Sequence, residues 1–247
     1  MIRHNFKTKA CTFAILIMFF SSALYSQGKT DVRAKEKIQY IQNVLNKGEF
    51  SAQLWWYGWI SIYSSLTIGQ YTLSGVAGKY SWPGKDDRVN YIVGGSKSAL
   101  GVAMLLIIPF TPAYAPGSLS ELSQETDGEL SIKLKEAERL MELSAHRAKR
   151  GRGWLKHVIV FVLNATGGII TWQCTKTSDS WKTGLINFAS GFAVAEAMIW
   201  TQPTRAGDDW ARYQKKYYGK DISVDEGIEN NWHFTLYPGG FVFSTRL

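Results

Sequence analysis

Apolar residues in this 247-residue chain gather into blocks, and charged residues crowd into the stretches between them. After an apolar run near the N-terminus, four more blocks follow: Ile60 to Ala77, Tyr91 to Phe110, Leu155 to Trp172 and Thr183 to Trp200. At about 16 to 20 residues each, helices over them extend roughly 24 to 30 Å, close to the thickness of a hydrocarbon core. Length alone does not separate spanning helices from long buried ones. Tryptophan placement favours spanning: Trp59 precedes the first block and Trp82 follows it, Trp154 and Trp172 bracket the third, and Trp181 and Trp200 bracket the fourth. An indole offers an apolar body and one donor, so it belongs at headgroup level.

The intervening segments carry helical periodicity with a polar face. Ile38, Ile41 and Leu45, with Val44 alongside, recur at helical spacing, as do Leu130, Leu134, Ala137, Met141 and Ala145. Both stretches predict surface or interfacial helices. The second follows "TPAYAPGSLSELSQETDGE", whose prolines, glycines and serines predict an exposed linker.

The two halves share an order of elements: amphipathic helix, Gly-Trp, apolar block, a loop with Ser-Trp, apolar block, and a Pro/Thr turn. Gly58-Trp59 corresponds to Gly153-Trp154, and Ser81-Trp82 to Ser180-Trp181. One register also pairs Ser98 with Ser190, Val102 with Val194, Ala103 with Ala195 and Ile107 with Ile199. The expected fold is therefore an all-α membrane protein of two tandem repeats, each an amphipathic helix plus a transmembrane hairpin, giving four spans in parallel orientation. The repeats cover residues 27–112 and 130–204, with a linker over 113–129. Chance similarity of membrane-type composition is the competing explanation. Residues 205–247 depart from the pattern, as a short helix capped by Asp208 and then an aromatic β-hairpin around Pro238-Gly239-Gly240.

Charge and cysteine content then place the chain. Residues 1–26 read as a signal peptide: Arg3, Lys7 and Lys9, an apolar run from Ala10 to Phe20, and small residues before a cleavage point after Ser26 or Ala23. Removing them takes away three cations and no anion, so the formal charge falls from +8 to +5, too little to argue for nucleic acid. Cys174 would then be the single cysteine, leaving no intramolecular disulfide. Localisation is expected in an exported, cell-envelope membrane, inner or outer. Two rules collide over topology. Signal cleavage puts the linker "HRAKRGRGWLKH" outside the cytoplasm, whereas its cations Arg147, Lys149, Arg150, Arg152 and Lys156 favour the inside.

Candidate chemistry is sparse. "VGGSKSALG" lacks the glycine that a phosphate-binding loop needs before its lysine. Its small residues Gly94 and Ser98 instead predict a helix-packing face, like Ser61, Ser65 and Gly69 in the first block and Gly191 and Ala195 in the fourth. Lys97, Glu196, Gln70 and Asn164 are the candidate intramembrane polar residues. On parallel spans Lys97 and Glu196 differ in depth by roughly 11 Å, which argues against a direct ion pair. Asp86 with Asp87, and Asp208 with Asp209, read as caps or solvated loops before metal ligands. No catalytic set, metal site or cofactor is expected. The reading is a non-enzymatic scaffold or assembly component whose basic linker meets membrane lipid, with a homo-oligomer or an envelope protein as partner. A small-solute or ion conduit lined by the four polar residues is the alternative.

Overall fold

The computed structural model describes residues 4–80, 82–220, 232–237 and 240–245, with side chains described over 32–80 and 82–220. The side chains of the expected signal segment 1–26 and of the C-terminal aromatic strands lie outside the described residues. Helix α1 (His4–Val76) joins the first amphipathic stretch and the first apolar block without a break. It is followed by α2 (Asp87–Ile107), a 3₁₀ turn (Thr111–Ala113), α3 (Ala115–Ser120), α4 (Asp127–Gly151), α5 (Trp154–Cys174), α6 (Ser180–Thr201) and α7 (Arg205–Tyr218). Strands β1 (Trp232–Tyr237) and β2 (Gly240–Thr245) pair antiparallel, with Phe234 opposite Phe243.

Local chemistry sets the helix ends. Helix α4 begins in a capping box: the Glu129 amide donates to Thr126 Oγ1 (3.3 Å) and the Thr126 amide donates to Glu129 Oε2 (3.0 Å). These two bonds satisfy donors that the first turn leaves unpaired. Lys149 and Arg150 sit in its last turn, where cations complement the helix dipole. Helix α7 stops at Gly219, whose φ of 64° is left-handed backbone that glycine adopts without a Cβ clash. Asp208 lies in its first turn and does not cap it; the position before the helix is Thr204, without a side-chain cap bond.

Helices α3, α4, α7 and the described first part of α1 form a cap with a conventional core. Ile41, Leu45, Ala115, Leu119, Ala137, Leu140, Met141 and Tyr213 are buried together, and the charged residues buried beside them, such as Lys133, are hydrogen-bonded. Burying a Leu, Ile or Met side chain contributes about 1.5–3 kcal/mol. The stretch 113–129, expected to be an exposed linker, includes part of this core: Ala115 and Leu119 are fully buried. Pro112 and Pro116 sit in the first turns of the short helical pieces, where a missing amide costs no bond.

The second part of α1, with α2, α5 and α6, forms a layer of different character. Antiparallel pairs α1/α2 and α5/α6 descend from the cap and turn back through the loops at 77–86 and 175–179. Among the described residues, α2 and α5 are long and apolar enough to cross a membrane. The fourth block, on α6, falls short of this and holds Asn187 and Glu196; the first is diluted by Ser61, Ser64, Ser65, Thr67 and Gln70. Burial in this layer is inverted. Only 22% of the apolar stretch of α2 or α5 is buried; the buried positions are Gly94, Gly95, Ser98 and, at the cap end, Leu105 on α2, and Asn164, Gly167, Gly168 and Thr171 on α5.

Close approach explains the small residues. A Cβ on Gly168 would stand 2.8 Å from the Gly184 carbonyl oxygen, and one on Gly184 would stand 2.6 Å from the Gly168 carbonyl oxygen. Helices α5 and α6 thus cross backbone to backbone. The expected face of Ser61, Ser65 and Gly69 does not pack: all three are exposed, and Ser61 Oγ returns to the Tyr57 carbonyl (2.8 Å). Helix α1 meets α2 through the opposite side, where the Tyr63 ring lies against Gly101 and Gln70 against Gly94.

Candidate functional site

Where the layer meets the cap, indoles close the helix ends. Trp55 Nε1 donates to the Met198 carbonyl (3.1 Å), Trp56 Nε1 to the Leu105 carbonyl (3.0 Å), and Trp59 Nε1 to Thr201 Oγ1 (3.1 Å). Met198 and Leu105 belong to the last turns of α6 and α2, whose carbonyls have no intrahelical amide partner. Arg152 works in the same way, donating through Nη2 to the carbonyls of Trp200 (2.5 Å) and Gln202 (2.7 Å). Burial holds its guanidinium below the ordinary arginine value. Of the five basic residues expected to contact lipid or a partner, Arg152 is therefore engaged inside the protein.

A cavity of about 440 Å³ opens between the two helix pairs. Its walls are mostly apolar, and its charged lining is one-signed: Lys97 inside, and Arg147, Arg150 and Lys156 at the cap end, with no carboxylate among the lining residues. Gln70, Asn164, Gly94, Ser98, Gly191 and Ala195 also line it. The cleft thus gathers three of the four expected polar residues and four of the expected packing residues.

Lys97 sits ten residues from either end of α2, about 15 Å from each. Its ammonium donates to Asn164 Oδ1 (3.0 Å), to Asn187 Oδ1 (2.7 Å) and to the Asn187 carbonyl (3.0 Å). All three protons are used, and every acceptor is neutral. Asn187 in turn donates through Nδ2 to Asn90 Oδ1 (2.7 Å), so α2, α5 and α6 are tied by one polar chain. Space for it comes from glycine: a Cβ on Gly191 would fall 2.2 Å from Asn164 Oδ1 and 2.5 Å from Lys97 Nζ. Gln70 Oε1 faces this region without a hydrogen-bond partner.

Glu196 stands apart from the cleft. Its carboxylate lies 2.8 Å from His157 Nδ1 and accepts from Trp200 Nε1 (3.0 Å). The depth argument against a Lys97–Glu196 pair agrees with this arrangement, and the true partner, His157, lies three residues into α5. Sequence reasoning missed His157, Asn187 and Asn90. Their signal was present: each is a polar residue inside or at the edge of an apolar block, and such residues need a partner.

The loop aspartates are local. Asp87 Oδ2 accepts the Gly84 amide (3.0 Å), and buried Asp209 pairs with Arg205 (3.1 Å) and with Arg212. Among the described residues, no three His, Cys, Asp or Glu side chains are grouped to hold a metal ion. No protein-family model matches the chain, and no curated protein or solved structure shows significant similarity to it.

Proposed function

We propose that the chain is a non-enzymatic integral membrane protein of the cell envelope, in which two helix pairs span the bilayer and the cap serves as a scaffold or assembly platform. One observation carries the reading: the inverted burial of the layer. Ile107 is 74% exposed, Ile68 68% and Ile186 63%, while Asn164, Asn187 and Thr171 are buried. In water such a surface would expose far more contiguous apolar area than a monomer tolerates. In lipid it is the stable arrangement, because polar side chains turn inward and small residues let the backbones touch.

Spans by α1 and α6 go beyond the apolarity of their sequences. Their support is pairing, since each is the antiparallel neighbour of a helix that is apolar enough. The same pairing supports the duplication, because both hairpins leave the cap in one direction. Alkaline carbonate washing of membranes should leave the protein in the pellet, with release by detergent alone. Release by carbonate would overturn the reading. Topology has its own readout: in a Cys11→Ser background, Cys174 and a Lys135→Cys probe in the cap should react with an impermeant maleimide from opposite sides.

A further inference from the structure

The structure assigns a second role to the cleft: we propose that it binds an anionic membrane phospholipid, with the headgroup on Arg147, Arg150 and Lys156 and an acyl chain running inward between the helix pairs. The inference rests on the membrane reading above.

Size narrows the occupant. A cavity of about 440 Å³ lies within the roughly 300–1,000 Å³ of small-molecule sites. It is too small for a helix of a partner or of a second copy. Wall chemistry narrows it further. Leu100 and Met104 on α2, Leu163 on α5 and Val194 on α6 present an apolar channel, which a soluble anion would not occupy in preference to water.

Charge then selects the headgroup. Arg147, Arg150 and Lys156 are exposed, and none of their side chains has a hydrogen bond or an ion pair among the described residues. They come from the end of α4 and the start of α5, so the α4–α5 corner fixes them around one mouth. They lie at the junction of layer and cap, where Trp55 also lines the cleft and ties the cap to the end of α6, the level where a headgroup belongs if the layer is in lipid. Behind them Lys97 adds a fourth cation with neutral partners only. Four cations and no carboxylate make a zwitterionic headgroup the poorer fit.

The test uses the full chain purified in a nonionic detergent. Occupancy by short-chain phosphatidylglycerol and by phosphatidylcholine of equal chain length is followed by native mass spectrometry. We expect a saturable single adduct with a preference for phosphatidylglycerol of about tenfold or more, given the attraction of each basic residue for anionic lipid. Combined Arg147→Ala, Arg150→Ala and Lys156→Ala should bring the two lipids level, and these exposed positions carry no packing. Ser190→Trp, at an exposed position lining the cleft, should block the adduct while the melting transition is retained. Glycerol phosphate without chains should not compete. Equal binding of the two lipids, indifference to the triple variant, or competition by glycerol phosphate would each overturn the proposal. So would an unchanged adduct in folded Ser190→Trp, which would mark annular lipid only. A protein that stays in solution without detergent would sink the membrane reading itself; one that needs detergent but shows no lipid preference would sink this inference alone.

Discussion

The cap and the helical layer follow opposite rules within one chain, and α1 passes from one to the other without interruption. In its cap portion Ile38, Ile41 and Leu45 are buried; beyond Trp59, Ile62 and Ile68 are exposed. The cap holds together as proteins in water do, by removing apolar side chains from solvent. Polar side chains supplement this core: Tyr217 Oη donates to Glu36 Oε1 (2.9 Å), Tyr218 Oη donates to Glu138 Oε1 (2.7 Å), and Lys37 Nζ donates to Tyr218 Oη (2.8 Å). Burial and the Glu138 carboxylate together push the Tyr213 phenol well above its ordinary value, so it remains a donor. The layer reverses this, with hydrogen bonds and glycine contacts inside and hydrocarbon outside. On the proposed membrane reading, what changes along the chain is the solvent for which each segment is built.

The widest gap between the two regions should appear in apolar truncations. Leu140→Ala, in the cap core at 2% exposure, is expected to destabilise by about 2–5 kcal/mol. Ile107→Ala, in the layer at 74% exposure, is expected to change stability by no more than about 0.5 kcal/mol. Chemical denaturation in one detergent compares them directly. Equal costs would mean that the outer face of the layer is covered by protein.

Polar truncation should show the reverse order. Asn187→Leu removes a side-chain acceptor from the Lys97 ammonium and breaks the link to Asn90, at an expected cost of about 1.5–3 kcal/mol. Adding Lys97→Met removes the cation that lost one of its three acceptors, so the double variant should be more stable than the two single costs added together imply. Additive costs would show that the polar chain does not hold the layer as a unit.

Much of this division was legible in the sequence. Block lengths, bordering tryptophans and amphipathic periodicity gave the helices, and α2 and α5 meet the apolarity expected of spans. Gly94, Ser98, Gly191 and Ala195, spaced as a packing face, line the cleft, where Gly94 lies against Gln70 and Gly191 against Asn164 and Lys97. The face of Ser61, Ser65 and Gly69 was misread for a physical reason. Small residues at four-residue spacing mark a possible contact, but the partner's side chains decide which side is used, and Tyr63 filled the opposite one. The fate of 113–129 was hidden too, since prolines and glycines announce turns without saying whether a core lies beneath them. Partners far apart in sequence were the least accessible: nothing local links Lys97 to Asn187 or Glu196 to His157.

The smallest effect should separate the regions by pH, at the start of α4. The Glu129 carboxylate is held below its ordinary value, first by the Thr126 amide and then by the Ser123 hydroxyl. A group whose folded pKa is lowered contributes stability that is present above its unfolded pKa and is lost as pH falls through the folded one. Acid should therefore weaken the cap through α4 by removing the charge from the capping box, while no such box starts α2, α5 or α6. In Glu129→Gln the side chain still reaches the Thr126 amide but cannot titrate, so the acid-side decline in cap stability should become shallower than in the wild type. Hydrogen exchange of the first α4 amides between neutral and acidic pH reads this locally. An unchanged acid profile in Glu129→Gln would mean that the cap loses stability in acid through other carboxylates, with Glu136 and Glu36, both held below their ordinary values, the next to examine.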